Sequence, residues 1–104
     1  MAIIHANSEN FEEIVLKSDK PVLLDFFATW CGPCKMLGQV LERMAENEGN
    51  YKIVKVDIDE CPELTSAWKV VSVPSIFIVK EGKVVDSMVG AQPQKVLEAK
   101  LANL

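Results

Sequence analysis

Two cysteines, Cys31 and Cys34, are separated by only Gly32 and Pro33. Thiols at this spacing can exchange with a disulfide through a thiolate, or they can supply two ligands to a metal ion. The remaining cysteine is Cys61, and an odd total of three does not form the dense, even set of a disulfide scaffold. The close pair is therefore predicted to be either redox-reactive or metal-binding.

Disulfide exchange needs one thiol that ionises easily. Cys31 follows an apolar, strand-like run and stands where a long helical pattern begins. A helix N-terminus offers unpaired N–H groups and a positive dipole end, so the Cys31 pKa is predicted to be lowered and Cys31 to be the attacking thiol. Cys34, one turn further on the same face, is predicted to be more buried and to be the resolving thiol. Gly32 leaves room for a docking protein, and Pro33 is tolerated in a first helical turn.

A metal site is the alternative interpretation. Cys31, Cys34, Cys61 and His5 could supply four ligands by count. There is no second closely spaced ligand pair, however, and His5 stands alone near the start of the chain. We therefore predict no metal. The chain of 104 residues also has no phosphate-binding glycine motif for a flavin or nicotinamide cofactor.

Apolar periodicity and turn residues predict the element order βαβαβαββα. The predicted strands are Ile3–His5, Pro21–Ala28, Tyr51–Ile58, Ile76–Val79 and Val84–Val89. The predicted helices run from Asn7 or Ser8 to about Lys17, from near Cys31 to about Asn47, from Pro62 to near Trp68, and onward from Pro93. This order implies an α/β fold with a mixed sheet of about five strands flanked by four helices on both faces, in one domain spanning residues 1–104.

Helical spacing also predicts which side chains are buried. The predicted inner faces comprise Phe11, Ile14 and Val15 in the first helix, Met36, Leu37, Val40, Leu41, Met44 and Ala45 in the second, and Val96, Leu97, Leu101 and Leu104 in the last.

Composition restricts the class of protein. Hydrophobic residues make up 49% of the chain, which argues against disorder, and the net charge of -4 comes without a basic patch for nucleic acid. No apolar run approaches the ~20 residues of a membrane-spanning helix, and the N-terminus has no basic leader. We expect a cytoplasmic monomer that binds neither nucleic acid nor a membrane.

The sequence resembles the thioredoxin family along nearly its whole length. The resemblance rests on residues 25–35, Asp-Phe-Phe-Ala-Thr-Trp-Cys-Gly-Pro-Cys-Lys, on Val73-Pro74 and on Gly90. It implies a thioredoxin fold and a protein-disulfide reductase whose Cys31/Cys34 dithiol is oxidised reversibly. It also implies disulfide-containing target proteins as substrates and a separate thioredoxin reductase as the source of electrons, with no bound cofactor.

Asp25 interrupts a strongly apolar strand. Burial there would raise the pKa of its carboxyl group, and the functional interpretation makes Asp25 the proton acceptor for Cys34, through water. The alternative is an exposed strand position. The resemblance supports the buried interpretation and also implies that Lys55 leans toward Asp25, although the alternating pattern around Lys55 equally allows a solvent-facing side chain.

The residues flanking the cysteines are candidates for target binding. Trp30 either offers a flat apolar surface to a partner or packs on the core, and the resemblance favours docking. It also implies a cis peptide bond before Pro74, which would turn the Val73 backbone outward for strand-like pairing with a substrate. Gly90 matches a family glycine beside the same surface, or it serves as a turn between strand and helix.

The sequence departs from the commonest family pattern at three positions. Phe27 stands where tryptophan is usual, Gln39 where proline often kinks the long helix, and Ser72 where glycine is frequent. The change at Gln39 puts the kink of the long helix in doubt but does not touch the cysteine chemistry.

Two other functions remain open at this point. An oxidase or isomerase would use the same chemistry in the opposite direction, as its redox poise dictates. A binding module would retain the fold with incidental cysteines, and Cys61 could serve a regulatory or dimer-forming role.

Overall fold

The computed structural model describes every residue from Met1 to Leu104. The strands are β1 (Ile3–His5), β2 (Val22–Phe27), β3 (Lys52–Asp57), β4 (Ser75–Lys80) and β5 (Lys83–Val89). The helical elements are a π-helical turn (Glu12–Leu16), α1 (Gly32–Ala45), α2 (Pro62–Ala67) and α3 (Gln94–Ala102). The predicted element order is confirmed, with bounds that differ by a few residues. No helix is both long and apolar enough to cross a bilayer.

The five strands form one mixed sheet in the order β1-β3-β2-β4-β5. Strand β3 runs parallel to both β1 and β2, whereas β4 runs antiparallel to β2 and β5. Strand β2 lies at the centre and is almost wholly buried. The predicted burial of this strand on both faces is confirmed, since elements cover the two faces of such a sheet.

Side chains alternate along β2 and enter two separate cores. Leu24 and Phe26 pack on one face with Phe11 and Trp68, while Leu23 packs on the other face with Leu37. The second core also contains Leu41 of α1 and Leu97 of α3. Because side chains two residues apart share a face of a strand, Asp25 points toward the same layer as Leu23. The carboxyl group is therefore placed inside the sheet–helix interface.

The first predicted helix, from Asn7 or Ser8 to Lys17, is present but is shorter than predicted and is wound as a π-helix. Its N-cap is Phe11, which makes no side-chain capping bond, whereas Asn7 Oδ1 accepts hydrogen bonds from Glu9 N–H at 2.9 Å and Asn10 N–H at 3.1 Å in the preceding turn. Asn10 Oδ1 in turn accepts from Asn7 N–H, so local side-chain bonds fix the turn that precedes the helix. The following segment closes with a Lys17 N–H bond to the Glu12 carbonyl, five residues back.

Two predicted apolar faces are broader than the observed ones. In α1 the buried apolar residues after Cys34 are Leu37, Leu41, Met44 and Ala45, whereas Met36 is 65% exposed. In and after α3, Leu97 and Leu101 are buried, but Val96 and Leu104 are exposed. A residue adjacent to a buried one is turned by about 100° around the helix axis, which takes it out of the stripe that faces the sheet.

Candidate functional site

The cysteine pair lies at the junction of β2 and α1. Cys31 is the N-cap of α1, with an extended backbone, and Pro33 occupies the first turn. The Cys31 and Cys34 side chains are joined by a disulfide, with their Cα atoms 5.2 Å apart. Cys31 Sγ also accepts the Cys34 backbone N–H at 3.2 Å. The predicted position of the pair at a helix N-terminus is confirmed.

The two cysteines differ little in burial. Cys31 is 6% exposed and Cys34 is 3% exposed, and both pack with Ala28. Cys34 is the more buried of the two, as predicted, but the difference in this disulfide state is slight. Phe27 borders the same small cluster, so the end of β2 supports the sulfur atoms directly.

An apolar groove of about 480 Å³ opens beside Cys31. It is lined by Trp30, Cys31, Gly32, Pro33, Ile58, Val70, Val71, Ser72 and Val73. Trp30 is 68% exposed and Val71 is 96% exposed. The alternative in which Trp30 packs on the core is therefore wrong. Large exposed apolar side chains around a reactive group are typical of a surface that binds another molecule.

Trp30 is held in place from the neighbouring strand end. Its Nε1–H donates a hydrogen bond to Asp59 Oδ2 at 2.9 Å. Asp59 and the groove residue Ile58 follow β3, which runs parallel to β2. Sequence reasoning missed both residues, although a signal was available, because the carboxyl ends of adjacent parallel strands meet at one edge of the sheet. Val70 and Val71, which come from the loop after α2, had no such signal.

The loop before β4 approaches the sulfurs. The Val73–Pro74 peptide bond is cis, as predicted, and the Val73 carbonyl oxygen lies 3.6 Å from Cys31 Sγ. Neither backbone polar group of Val73 bonds to another backbone group. Gly90 N–H donates to the Pro74 carbonyl at 2.8 Å. Pro74 and Gly90 are thus paired next to the groove, although neither lines it.

Gly90 adopts a backbone conformation that favours glycine. Its φ is +93°, and a Cβ added at this position would meet no atom within 4 Å. The positive φ makes any other residue strained, while the open space leaves the approach to Pro74 unobstructed. The predicted turn after the last strand is confirmed, whereas the place of Gly90 beside the cysteine surface stays a prediction.

Asp25 is fully buried, so the alternative of an exposed strand position is wrong. Neither of its carboxyl oxygens has a hydrogen-bond partner in the protein. Burial raises the pKa of Asp25 to about 7, and the positive charge of Lys55 offsets part of that rise. The side chain consequently exchanges a proton with its surroundings in the neutral pH range.

The Lys55 side chain neither forms an ion pair with Asp25 nor faces solvent fully, so it lies between the two predicted orientations. Its Cα is the partner of Asp25 in the β2–β3 register, and its side chain is half-buried. The ammonium nitrogen lies 4.3 Å from the centroid of the Phe27 ring and forms no ion pair. Lys55 therefore lies near Asp25 without contacting it as a salt-bridge partner. Asp25 and Lys55 both lie outside the groove.

The third cysteine lies apart from the pair. Cys61 is buried and, with His5, lines a different cavity of about 320 Å³. Burial, assisted by Glu60 and Asp57, raises the pKa of the Cys61 thiol. No group of three or more His, Cys, Asp or Glu side chains converges on a point that could hold a metal ion. The four ligands counted in the sequence are therefore not assembled.

A disulfide at a helix N-terminus, beside an apolar groove and a cis-proline loop, defines the class of thiol–disulfide oxidoreductases. Comparison with known proteins gives the same class. The thioredoxin family model matches residues 2–103. The thioredoxin of Chlorobaculum thiosulfatiphilum is 46% identical over 97 residues, covering 92% of this chain and 90% of its own.

Other relatives are similar over comparable lengths. The thioredoxin of Haemophilus influenzae is 44% identical over 88% of this chain and 87% of its own. Thioredoxin 1 of a Nostoc species is 43% identical over 96% of this chain and 94% of its own. The chain belongs to the thioredoxin family. It is a thiol–disulfide oxidoreductase that reduces protein disulfides through the Cys31/Cys34 pair, needs no bound cofactor and, as is general in the family, is re-reduced by a separate reductase.

Proposed function

We propose that Cys31 is the attacking thiol and Cys34 the resolving thiol of a cytoplasmic electron carrier that a thioredoxin reductase recharges. One observation carries the assignment: Cys31 Sγ accepts the Cys34 N–H at 3.2 Å at the start of α1. In the reduced protein the same amide, together with the positive end of the helix dipole, stabilises a thiolate at this position. Cys34 lies one turn further along α1, and its sulfur accepts no such hydrogen bond from a backbone amide.

The proposed cycle transfers two electrons to the target. The Cys31 thiolate attacks a target disulfide, one target sulfur leaves as a thiolate, and a mixed disulfide forms. Cys34 then loses its proton and attacks Cys31 Sγ. The second target sulfur leaves as a thiolate, and the Cys31–Cys34 disulfide closes. The target is reduced and the protein is oxidised.

Asp25 is the proposed acceptor of the Cys34 proton. A buried carboxyl group with a pKa of about 7 can take up a proton at neutral pH, which an ordinary exposed aspartate cannot do efficiently. Asp25 precedes Phe27 by two residues on the same strand face, roughly 7 Å along the strand, and Phe27 borders the cysteine cluster. A bridging water is the proposed path by which the Cys34 proton reaches Asp25.

Target proteins are proposed to bind across the groove and the adjoining loop. Trp30, Gly32 and Pro33 form one side, where the absence of a side chain on Gly32 leaves the disulfide accessible. On the other side, the unpaired Val73 backbone offers an edge for an extended segment, in the manner of strand addition. Pro74 and Gly90 fix the conformation of that edge through their mutual hydrogen bond.

The domain organisation, the oligomeric state and the partners of the protein are also proposals. We propose that residues 1–104 act as a single domain, since all five strands belong to one sheet. We also propose that the protein is a monomer. The net charge of -4 disfavours nucleic acid as a partner. Disulfide-containing proteins and the reductase are the partners that the chemistry requires.

Alkylation of Cys31 tests the attacking role. In a variant with Cys34→Ser and Cys61→Ala, the one remaining thiol is expected to react half-maximally at a pH at least about one unit below the 8.5 of free cysteine. The rate is followed with iodoacetamide and mass spectrometry between pH 5 and pH 10. The matched variant keeps Cys34 and carries Cys31→Ser and Cys61→Ala, and its thiol should react more slowly near neutrality. An ordinary profile for Cys31 would remove the assignment.

The groove makes a prediction about target binding. Val71→Glu places a charge on the most exposed apolar residue of the groove, so KM for a protein disulfide is expected to rise about five-fold or more. Reduction of a small aromatic disulfide, which needs little of the groove, should change far less. Val84→Glu alters a half-exposed valine of β5 away from the groove and serves as the control. Equal KM values for the two variants would exclude Val71 from the binding surface.

A further inference from the structure

The Lys55 ammonium lies near the Phe27 ring, and Lys55 also lines a cavity with the carboxyl groups of Asp57 and Glu60. Its nitrogen lies 4.3 Å from the centroid of the Phe27 ring, within the ~6 Å range of a cation–π interaction. Asp25 is the register partner of Lys55 on the adjacent strand, yet no carboxylate oxygen lies within ion-pair distance of the nitrogen. The ammonium therefore contacts the ring and leaves the carboxyl group without a partner.

The neighbouring strands provide few other charges to this layer. Strand β3 contributes Lys55 and, opposite Phe27, Asp57. Strand β4 places the apolar Ile76 opposite Asp25. Strand β1 contributes His5, whose ring approaches Phe27 edge-on with centroids 6.3 Å apart. The imidazole and the ammonium therefore both lie next to the Phe27 ring.

Helices α1 and α3 cover the face of the sheet on which Lys55 and Asp25 lie. The α1 residue Gly38 faces the ammonium, because a Cβ built on it would lie 3.7 Å from Lys55 Nζ. The nearest charged residue at the start of α1, Lys35, is exposed, and α3 contributes the buried Leu97 to this core. Among the charged groups around Asp25, Lys55 is the one whose charge acts on it.

We propose that Phe27 is a positioning residue, whose ring holds the Lys55 ammonium beside Asp25 and prevents a direct salt bridge between them. A direct contact would keep the carboxyl group charged, because an adjacent cation favours the ionised form. An ammonium held on the ring stabilises the charge only in part, so Asp25 can both accept a proton and release it. Gly38 of α1 lies on the helix side of the ammonium, where an added Cβ would be in ordinary van der Waals contact with it. This inference rests on the proposed role of Asp25 as proton acceptor.

The proposal is tested by titrating the Asp25 carboxyl group directly. In the oxidised protein, the carbon-13 NMR shift of the Asp25 side-chain carboxyl is followed against pH, which gives the midpoint of its titration. Phe27→Leu removes the ring face, so Lys55 can reach Asp25, and the midpoint is expected to fall by about one pH unit or more. Phe27→Trp keeps a ring face and should leave the midpoint close to that of the unaltered chain.

The same substitution in a Lys55→Met variant separates an effect that acts through Lys55 from an effect of altered packing around Asp25. With Lys55→Met there is no ammonium to release, so Phe27→Leu is expected to leave the Asp25 midpoint unchanged. An equal fall in both backgrounds, or no fall in either, would overturn the proposal. Thermal unfolding of each variant is measured alongside.

One measurement needs no substitution at all. In the unaltered protein, Lys55 methylene protons next to the ammonium should resonate upfield of their ordinary position, because they lie over an aromatic face. Ordinary shifts would also overturn the proposal. These titrations and shifts do not involve Cys34. If Asp25 proves not to accept the Cys34 proton, the titration and the Lys55 shifts can still show that Phe27 positions Lys55. A failure of the proposed function can therefore be distinguished from a failure of this inference.

Discussion

A reduced Cys34→Ser variant mixed with an oxidised target protein is expected to accumulate a stable mixed disulfide at Cys31. The attacking thiolate at the N-cap of α1 is still present, but no second thiol lies one turn deeper to release the target. The Cys31→Ser variant lacks the nucleophile and should form no such adduct. Steady-state reduction, coupled to a reductase, is expected to fall at least about 100-fold in both variants, because the two thiols act as a unit.

Non-reducing electrophoresis and mass spectrometry of the adduct identify which cysteine is joined to the target. Cys61→Ser is the matched control, because this thiol is buried and lies apart from the pair, so trapping and turnover should be unaffected by its loss. Trapping through Cys34 in the Cys31→Ser variant would reverse the assigned roles. Retained turnover with both cysteines replaced would contradict the enzyme function itself.

Replacing Asp25 by asparagine is expected to remove a large pH dependence of stability. The folded pKa of Asp25 is about 7, against an ordinary value of 3.8, so the folded state holds a proton that the unfolded chain releases between these values. Stability from this group is therefore greatest at low pH and falls as the pH rises from about 4 to about 7. The difference of about three pKa units corresponds to roughly 4 kcal/mol of lost stability above neutrality.

Urea unfolding of the oxidised protein at pH 4, 6 and 8 measures this effect. The free energy of unfolding of Asp25→Asn, minus that of the unaltered chain, should increase steadily across the series. All other titrating groups contribute equally to both proteins and cancel in the difference. A difference that stays constant with pH would show that Asp25 has an ordinary pKa.

The same variant should be a poorer catalyst of resolution. Without a carboxylate to take the Cys34 proton, decay of the mixed disulfide at pH 7 is expected to slow by about 100-fold, the lower part of the range for a positioned general base. Formation of the mixed disulfide should change little, since that step uses the Cys31 thiolate. Single-turnover quenching separates the two steps, and an unchanged decay rate would remove Asp25 from the proton transfer.

Much of the fold followed from local patterns. The dense apolar run around Asp25 predicted a strand buried on both faces, and β2 is that strand. A helix beginning at Cys31 predicted a sulfur close to an unpaired amide, and Cys31 Sγ accepts the Cys34 N–H. These features depend on neighbours in sequence, which makes periodicity and capping rules informative about them.

Features that depend on contacts across the fold were harder to predict. The position of Lys55 over Phe27 depends on the register of β2 with β3, which the pattern of a single strand does not contain. Val71 joins the groove only because the loop after α2 passes next to the cysteines. Apolar periodicity predicted a helix before β2, but it does not distinguish the π-helical winding of residues 12–16 from an ordinary α-helix.

The placement of the two tryptophans gives the molecule two separate optical probes. Trp68 is half-buried among Phe11, Phe26 and Phe77, at centroid distances of 5.0 to 5.9 Å, so its emission depends on whether this aromatic cluster is intact. Trp30 is mostly exposed and adjoins the sulfur pair, so its emission responds to the oxidation state there and to whatever covers it. Loss of global structure and events at the catalytic surface can therefore be followed independently within one unlabelled chain.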